Sequence, residues 1–86
     1  MNDDDPLPHE WLEQAVAHID VRCLPPPQPL VAILRRVHTL EAGQTLVVHH
    51  DRDPLLLYAE LEEIGWDAER IPAPAGEVRL LVRAQP

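Results

Sequence analysis

With 86 residues and 45% apolar content, the chain is long enough for one compact domain and too short to enclose a large active site. Its single cysteine permits no internal disulfide, which removes the secreted disulfide scaffold, and no apolar run reaches the length of a membrane span. The formal charge of -8, with Arg as the only basic residue type besides His and aromatics at 3%, opposes a phosphate backbone and offers no stacking ladder. Neither nucleic acid nor a membrane is therefore expected as a partner, and a cytoplasmic location is the default for an N-terminus without the basic and apolar regions of an export signal.

Met1 to Pro8 is acidic and broken by Pro6 and Pro8, so Met1 to Asp5 reads as a mobile arm. From His9 to Ala17 two readings compete. One is a short helix with Trp11, Leu12, Ala15 and Val16 at helical spacing; the other lays Trp11 and Leu12 on a core edge while a strand begins near Ala15. In either case Trp11 is read as a packing anchor, against the alternative of a partner-binding residue. The expected organisation is an acidic arm or short helical segment over residues 1–14 and one domain over 15–86, with no internal repeat.

Val16, Ile19 and Val21 support a first strand. The chain then meets four prolines between Leu24 and Leu30, which fix φ angles and remove backbone donors, and so form a rigid elbow into a helix. Leu30, Ile33, Leu34, Val37 and Leu40 recur at helical steps, and Gly43 supplies a left-handed turn conformation after them. Thr45 to His49 is β-branched and apolar, a central strand. After His50-Asp51-Arg52, Asp53 suits a helix N-cap and Pro54 a first helical position, with Leu57, Leu61 and Ile64 facing inward beside Tyr58 until Gly65 ends the helix. Trp66 to Ile71 and Val78 to Arg83 read as the two strands of a closing hairpin. These elements predict a two-layer α/β sandwich, β-α-β-α-β-β, with two helices on one face of a four-stranded mixed sheet.

Asp20-Val21-Arg22, Leu24-Pro25-Pro26 and Pro29, then a helix, the Gly43 turn, a strand, His50-Asp51-Arg52-Asp53-Pro54, a Leu-rich helix and Gly65-Trp66, resemble the small uncharacterised domains of the DUF2249 family over about Ile19 to Arg83. That family looks like a divergent branch of the TusA-like (SirA-like) sulfur-carrier fold, and the resemblance implies the same two-layer architecture. In the sulfur carriers an Asp opens the motif, a Gly-Leu pair follows, and a Cys-Pro-x-Pro unit begins the first helix. Here Asp20 stands at the opening Asp, Cys23 replaces the glycine and Leu24 keeps the leucine, while Pro26 replaces the persulfide-carrying cysteine ahead of Pro27 and Pro29. Proline has no nucleophile, and Cys23 lies upstream on the strand side of the elbow. DUF2249-like domains share this departure, and members that occur beside hemerythrin-like domains suggest a redox or respiratory context.

Cys23 is read as a small packed residue, against a reactive thiol activated by Arg22 and a helix N-terminus, or a metal ligand. His49 and His50 are adjacent in a strand and point to opposite faces; with Asp51 and Asp53 they provide nitrogen and oxygen donors for zinc or iron, without a spaced ligand motif. Asp20 and Arg22 are read as a structural ion pair across the elbow, against the alternative of a recognition pair. Arg22, Cys23, His50 and Arg52 are expected near one edge, because the elbow and the His-Asp-Arg turn both follow parallel strands and precede helices. The resulting expectation is a non-enzymatic adaptor or accessory domain in redox or sulfur-related metabolism. It would recognise a protein partner through Arg22, Cys23, Pro25, Pro26, His50 and Arg52, with Asp20, Pro29, Gly43, Asp53, Pro54 and Gly65 in structural roles. The alternatives are a thiol-dependent sulfur carrier or redox protein using Cys23, and a small metal-binding protein using His50 and its neighbours.

Overall fold

The computed structural model describes residues 8–86, so the expectation of a mobile Met1 to Asp5 lies outside the described residues. Strands β1 (His9–Glu13), β2 (Val16–Asp20), β3 (Thr45–His50), β4 (Trp66–Ile71) and β5 (Val78–Ala84) are joined by two helices, α1 (Gln28–Val37) between β2 and β3 and α2 (Leu55–Glu63) between β3 and β4. All the strands lie in one mixed sheet in the order β1-β2-β3-β5-β4.

The four-stranded expectation is corrected by β1, which makes a fifth strand where a helix was one of two readings. The segment pairs antiparallel with β2, Trp11 opposite His18 and Glu13 opposite Val16. Between them Gln14 and Ala15 both hold positive φ, 51° and 67°, the left-handed pair of a two-residue hairpin turn. Asn-Gly and Asp-Gly announce such turns because they tolerate that conformation; Gln-Ala does not, so the hairpin carried no local sequence signal.

The remaining topology follows from the two crossovers. β2 and β3 are parallel neighbours joined through α1. β3 and β4 are separated by β5, which runs antiparallel to both. The chain therefore steps twice in the same direction across the sheet, and crossovers of one hand leave both helices on one face. Ile33 and Val37 of α1 and Leu57 and Leu61 of α2 share a core with Ala17 and Ile19 of β2, Leu46 and Val48 of β3, and Leu80 and Val82 of β5. Alternate strand positions turn to the other face, as the period of two requires.

α1 begins two residues before the expected Leu30 and ends at Val37, yet Leu40 still packs against the core from the turn that follows. Gly43 and Gly65 hold φ of 94° and 84°, the left-handed conformation that ends each helical segment. α2 differs at its start. Pro54 occupies the cap position and no side chain caps the helix; Asp53, expected as the cap, instead accepts a hydrogen bond from the Tyr58 hydroxyl at 2.6 Å. No helix among the described residues is long and apolar enough to cross a membrane.

Candidate functional site

β2 and β3 run parallel and each leads through a short segment into a helix, so the proline elbow and the His50–Pro54 turn come together at one end of the sheet. Between them lies a groove of about 330 Å³. Pro26, Pro27, Pro29 and Leu30 line it from the elbow and α1, while Pro54, Leu55 and Leu56 line it from α2. Leu24, Leu57 and His50 lie deeper, all buried. The prolines present ring carbons and no N–H, so their walls are largely apolar and offer no backbone donor. Leu55 and Leu56 are 73% and 75% exposed, which is unusual for neighbouring leucines at the mouth of a groove.

Polar groups are confined to the rim and to one buried ring. His50 Nδ1 accepts hydrogen bonds from the backbone N–H groups of Asp51 (2.9 Å) and Arg52 (3.3 Å). The Asp51 carboxylate also lies 3.1 Å from that nitrogen and would favour a proton there, but the two amides are fixed by the chain and hold the lone pair on Nδ1. The ring proton of neutral His50 consequently sits on Nε2. Asp51 accepts from Arg52 Nε at 3.2 Å, and this bond holds its carboxyl below the usual range. Tyr58 lies outside the lining and donates to the rim residue Asp53; burial, then that bond, pushes its hydroxyl up to about 12, so it stays protonated. This set can hold an apolar group and offer it hydrogen bonds; no nucleophile and base are paired within it.

Of the expected recognition residues, Pro26, His50 and Arg52 line the groove, whereas Arg22, Cys23 and Pro25 do not. Arg22 is committed elsewhere. Its Nε and Nη2 donate to the two oxygens of Asp20 at 2.9 and 2.7 Å, and its Nη1 donates to Glu77 at 3.2 Å. The Asp20 carboxyl is held low chiefly by that side-chain pairing. Cys23 is exposed, which corrects its reading as a packed residue. The metal candidates are dispersed: His50 faces the groove, His49 projects to the opposite face and donates from Nδ1 to Glu77 at 2.9 Å, and Asp53 is bonded to Tyr58. Among the described residues no group of three or more His, Cys, Asp or Glu side chains is placed to hold a metal. Leu55, Leu56 and Glu77 were not singled out in the sequence. A run of three leucines opening α2, more than one buried stripe can use, was the available signal for the first two.

A family model described as an uncharacterized conserved protein, DUF2249, matches residues 18–84. No curated protein matches the chain. The matched span contains both helices, the elbow and the groove, and leaves β1 outside it.

Proposed function

The chain belongs to the DUF2249 family, and from that premise we propose that it is a non-enzymatic adaptor domain whose groove docks a segment of a protein partner. The observation that carries this reading is the pair of exposed leucines, Leu55 and Leu56, beside a wall of prolines. Burying both leucines would contribute roughly 3 kcal/mol or more to association before the ordering cost is met. Charge narrows the partner: the chain carries -8, and Glu60, Glu62 and Glu63 are exposed on α2 beyond the leucines. The fitting partner presents apolar side chains to the groove and Arg or Lys to those acids.

Resemblance to the TusA-like (SirA-like) sulfur carriers supports the placement of this surface, since the elbow that bears their nucleophile here bears Pro26 at the groove wall. Recognition has been kept where the reactive group is replaced, in a redox or sulfur-related setting. The test places a photo-crosslinking residue at Leu55 and maps the adducts by mass spectrometry. Adducts on an apolar segment flanked by basic residues, weakened by salt and by reversing Glu60 and Glu63 to Lys, are expected. Labelling that ignores salt and charge reversal would remove the proposed partner chemistry.

The exposure of Cys23 favours a second reading, a thiol-dependent sulfur carrier or redox protein. A persulfide donor separates the two: a persulfide on Cys23 that passes to an acceptor and is abolished by Cys23→Ser supports the carrier. Modification without transfer marks only an accessible thiol.

A further inference from the structure

The face of the sheet opposite the helices carries a buried polar cluster that the groove does not use. Strand alternation places Trp11, His18, His49 and Arg79 on that face, on β1, β2, β3 and β5. His18 Nδ1 and His49 Nε2 lie 2.9 Å apart. His49 Nδ1 donates to Glu77 Oε2 at 2.9 Å, and the same oxygen accepts from Arg79 Nε at 2.7 Å. Arg22 reaches the other oxygen of Glu77 at 3.2 Å. Trp11 lies over this chain, stacked on His18 at 5.0 Å and 20° and meeting His49 at 5.1 Å. The His49 and Glu77 side chains are only 9% and 8% exposed, although no helix covers them.

We propose that Glu77, His49 and His18 form a proton-counting latch that holds β1 on the sheet and opens when both imidazoles become cationic. The hydrogen-bond inventory leads to this directly. Glu77 is an ionised acceptor, so His49 Nδ1 carries a proton. With both rings neutral, His49 Nε2 presents a lone pair and His18 Nδ1–H donates to it; the remaining lone pair is on His18 Nε2. One added proton is accommodated. It enters at His18 Nε2, and transfer across the 2.9 Å contact leaves the cation on His49 beside Glu77, with His18 now accepting at Nδ1. No hydrogen bond is lost, and a cationic ring strengthens the stack with Trp11. A second proton sets N–H against N–H and two positive charges across the same contact, which the geometry does not tolerate.

Charged or titratable groups face the pair from every element packed against it. Glu13 and His9 face it from β1, Asp20 from β2, Arg22 and Glu77 from the connecting segments, and Arg79 from β5. Glu13 favours a proton on His18, but burial, His49 and Arg79 oppose it, and His18 lies below the ordinary histidine range with burial the largest cause. Glu77 is held low first by its bond from Arg79 and next by His49, so it remains ionised well into the acid range.

β1 is the element at stake because little else holds it. Its turn runs through two left-handed non-glycine residues, and Leu12 on its helix-side face is 70% exposed. Among the described residues, its ties beyond the ladder to β2 are the Trp11 ring against His18 and His49 and an ion pair from Glu10 to Arg36 at 3.1 Å. Release of β1 would bare the N–H and C=O groups of the β2 edge, a template for strand addition by another chain. The latch thus makes a sheet edge available in acid and closes it at neutral pH. The sign follows from linkage: the open state binds a proton that the closed state excludes. The closed-to-open ratio is therefore highest above about pH 6.5 and falls by up to about tenfold per pH unit below it.

Amide hydrogen exchange of the full chain, read by NMR between about pH 7.5 and pH 5 and corrected for intrinsic exchange, tests this. Protection of the β1–β2 ladder should fall about tenfold or more while the β3–β5 ladder keeps its protection. In His18→Gln the amide both donates and accepts but takes no proton, so β1 protection should become independent of pH over that range. Ladders that fade together, a β1–β2 ladder indifferent to pH in the wild type, or an equal loss in His18→Gln would each overturn the latch. Should His18→Gln fail to fold, imidazole ¹⁵N shifts of the wild type decide. Two rings sharing a first proton before either takes the second is the expected pattern; two independent single-proton curves overturn it.

Discussion

The two faces of the sheet are closed by different physics. On the helix side, Ile19, Ile33, Leu46, Leu57, Leu61 and Leu80 are almost wholly shielded, and their contribution depends on area removed from water rather than on any protonation state. On the opposite face, His49 and Glu77 reach similar burial through hydrogen bonds, ion pairs and the Trp11 ring. Those six core residues lie within the family-matched span 18–84, whereas the ring that covers the second face, Trp11, belongs to β1, which precedes it. The difference teaches that one side of this sheet is unconditional and the other is conditional on charge. A small domain short of aromatic residues has used one of its two tryptophans to cover the conditional side.

The contrast is broken most severely from the apolar side. Leu46→Ala, at the fully buried centre of β3, should cost about 3–5 kcal/mol in urea denaturation and be the same at pH 7 and pH 5. A cost that varied with pH would tie the core to the polar face. Next comes Glu77→Gln, which removes a shielded carboxylate serving His49, Arg79 and Arg22 and should cost about 2 kcal/mol at neutral pH. The folded state holds Glu77 below its ordinary value of 4.5, so this stability is fully present above 4.5 and is lost as pH falls through the depressed value. Wild type and variant should therefore differ most near neutrality and converge in acid. Parallel stability curves would show that Glu77 contributes through shape rather than charge.

The same division governs what could be read from the sequence. The helix-side core was legible because periodicity records it: Ile33 and Val37, Leu57 and Leu61, and the β-branched Thr45 to His49 stretch all announce their elements. The fifth strand was not, since Gln14 and Ala15 adopt a hairpin turn that their side chains do not favour. The groove was legible in part, because the elbow and the His-Asp-Arg turn follow parallel strands and so converge. Arg22 fell outside it because Asp20, two residues away, offered a bidentate partner at closer range. The latch was least visible. His18, His49 and Glu77 are far apart in the chain, and only strand order and register bring them together.

A smaller change tests how much strain β1 carries. Ala15 holds φ of 67°, where a Cβ is unfavourable, so Ala15→Gly should stabilise the hairpin by up to about 1 kcal/mol less the entropy of the more flexible unfolded chain. The gain should appear as slower exchange in the β1–β2 ladder, with little change in β3–β5. A uniform gain across all ladders would mean that β1 and the core unfold as one unit, and the conditional face would lose its independence.

The smallest expected effect on stability belongs to the groove, and there the absence of an effect is the informative result. Leu56 is 75% exposed in the first turn of α2, a turn that contains no acidic residue. Leu56→Asp removes apolar surface that already faces water and adds a negative charge where the helix dipole favours one, so the two contributions should leave stability within about 0.5 kcal/mol of wild type. Docking should respond in the opposite way, because the same charge is carried into an apolar groove and set against a partner that must desolvate it. Unfolding measured beside the Leu55 crosslinking yield separates the two roles. Unchanged stability with lost crosslinking assigns Leu56 to recognition. A loss above about 1 kcal/mol would make it a packing residue and return the exposed leucines to the fold.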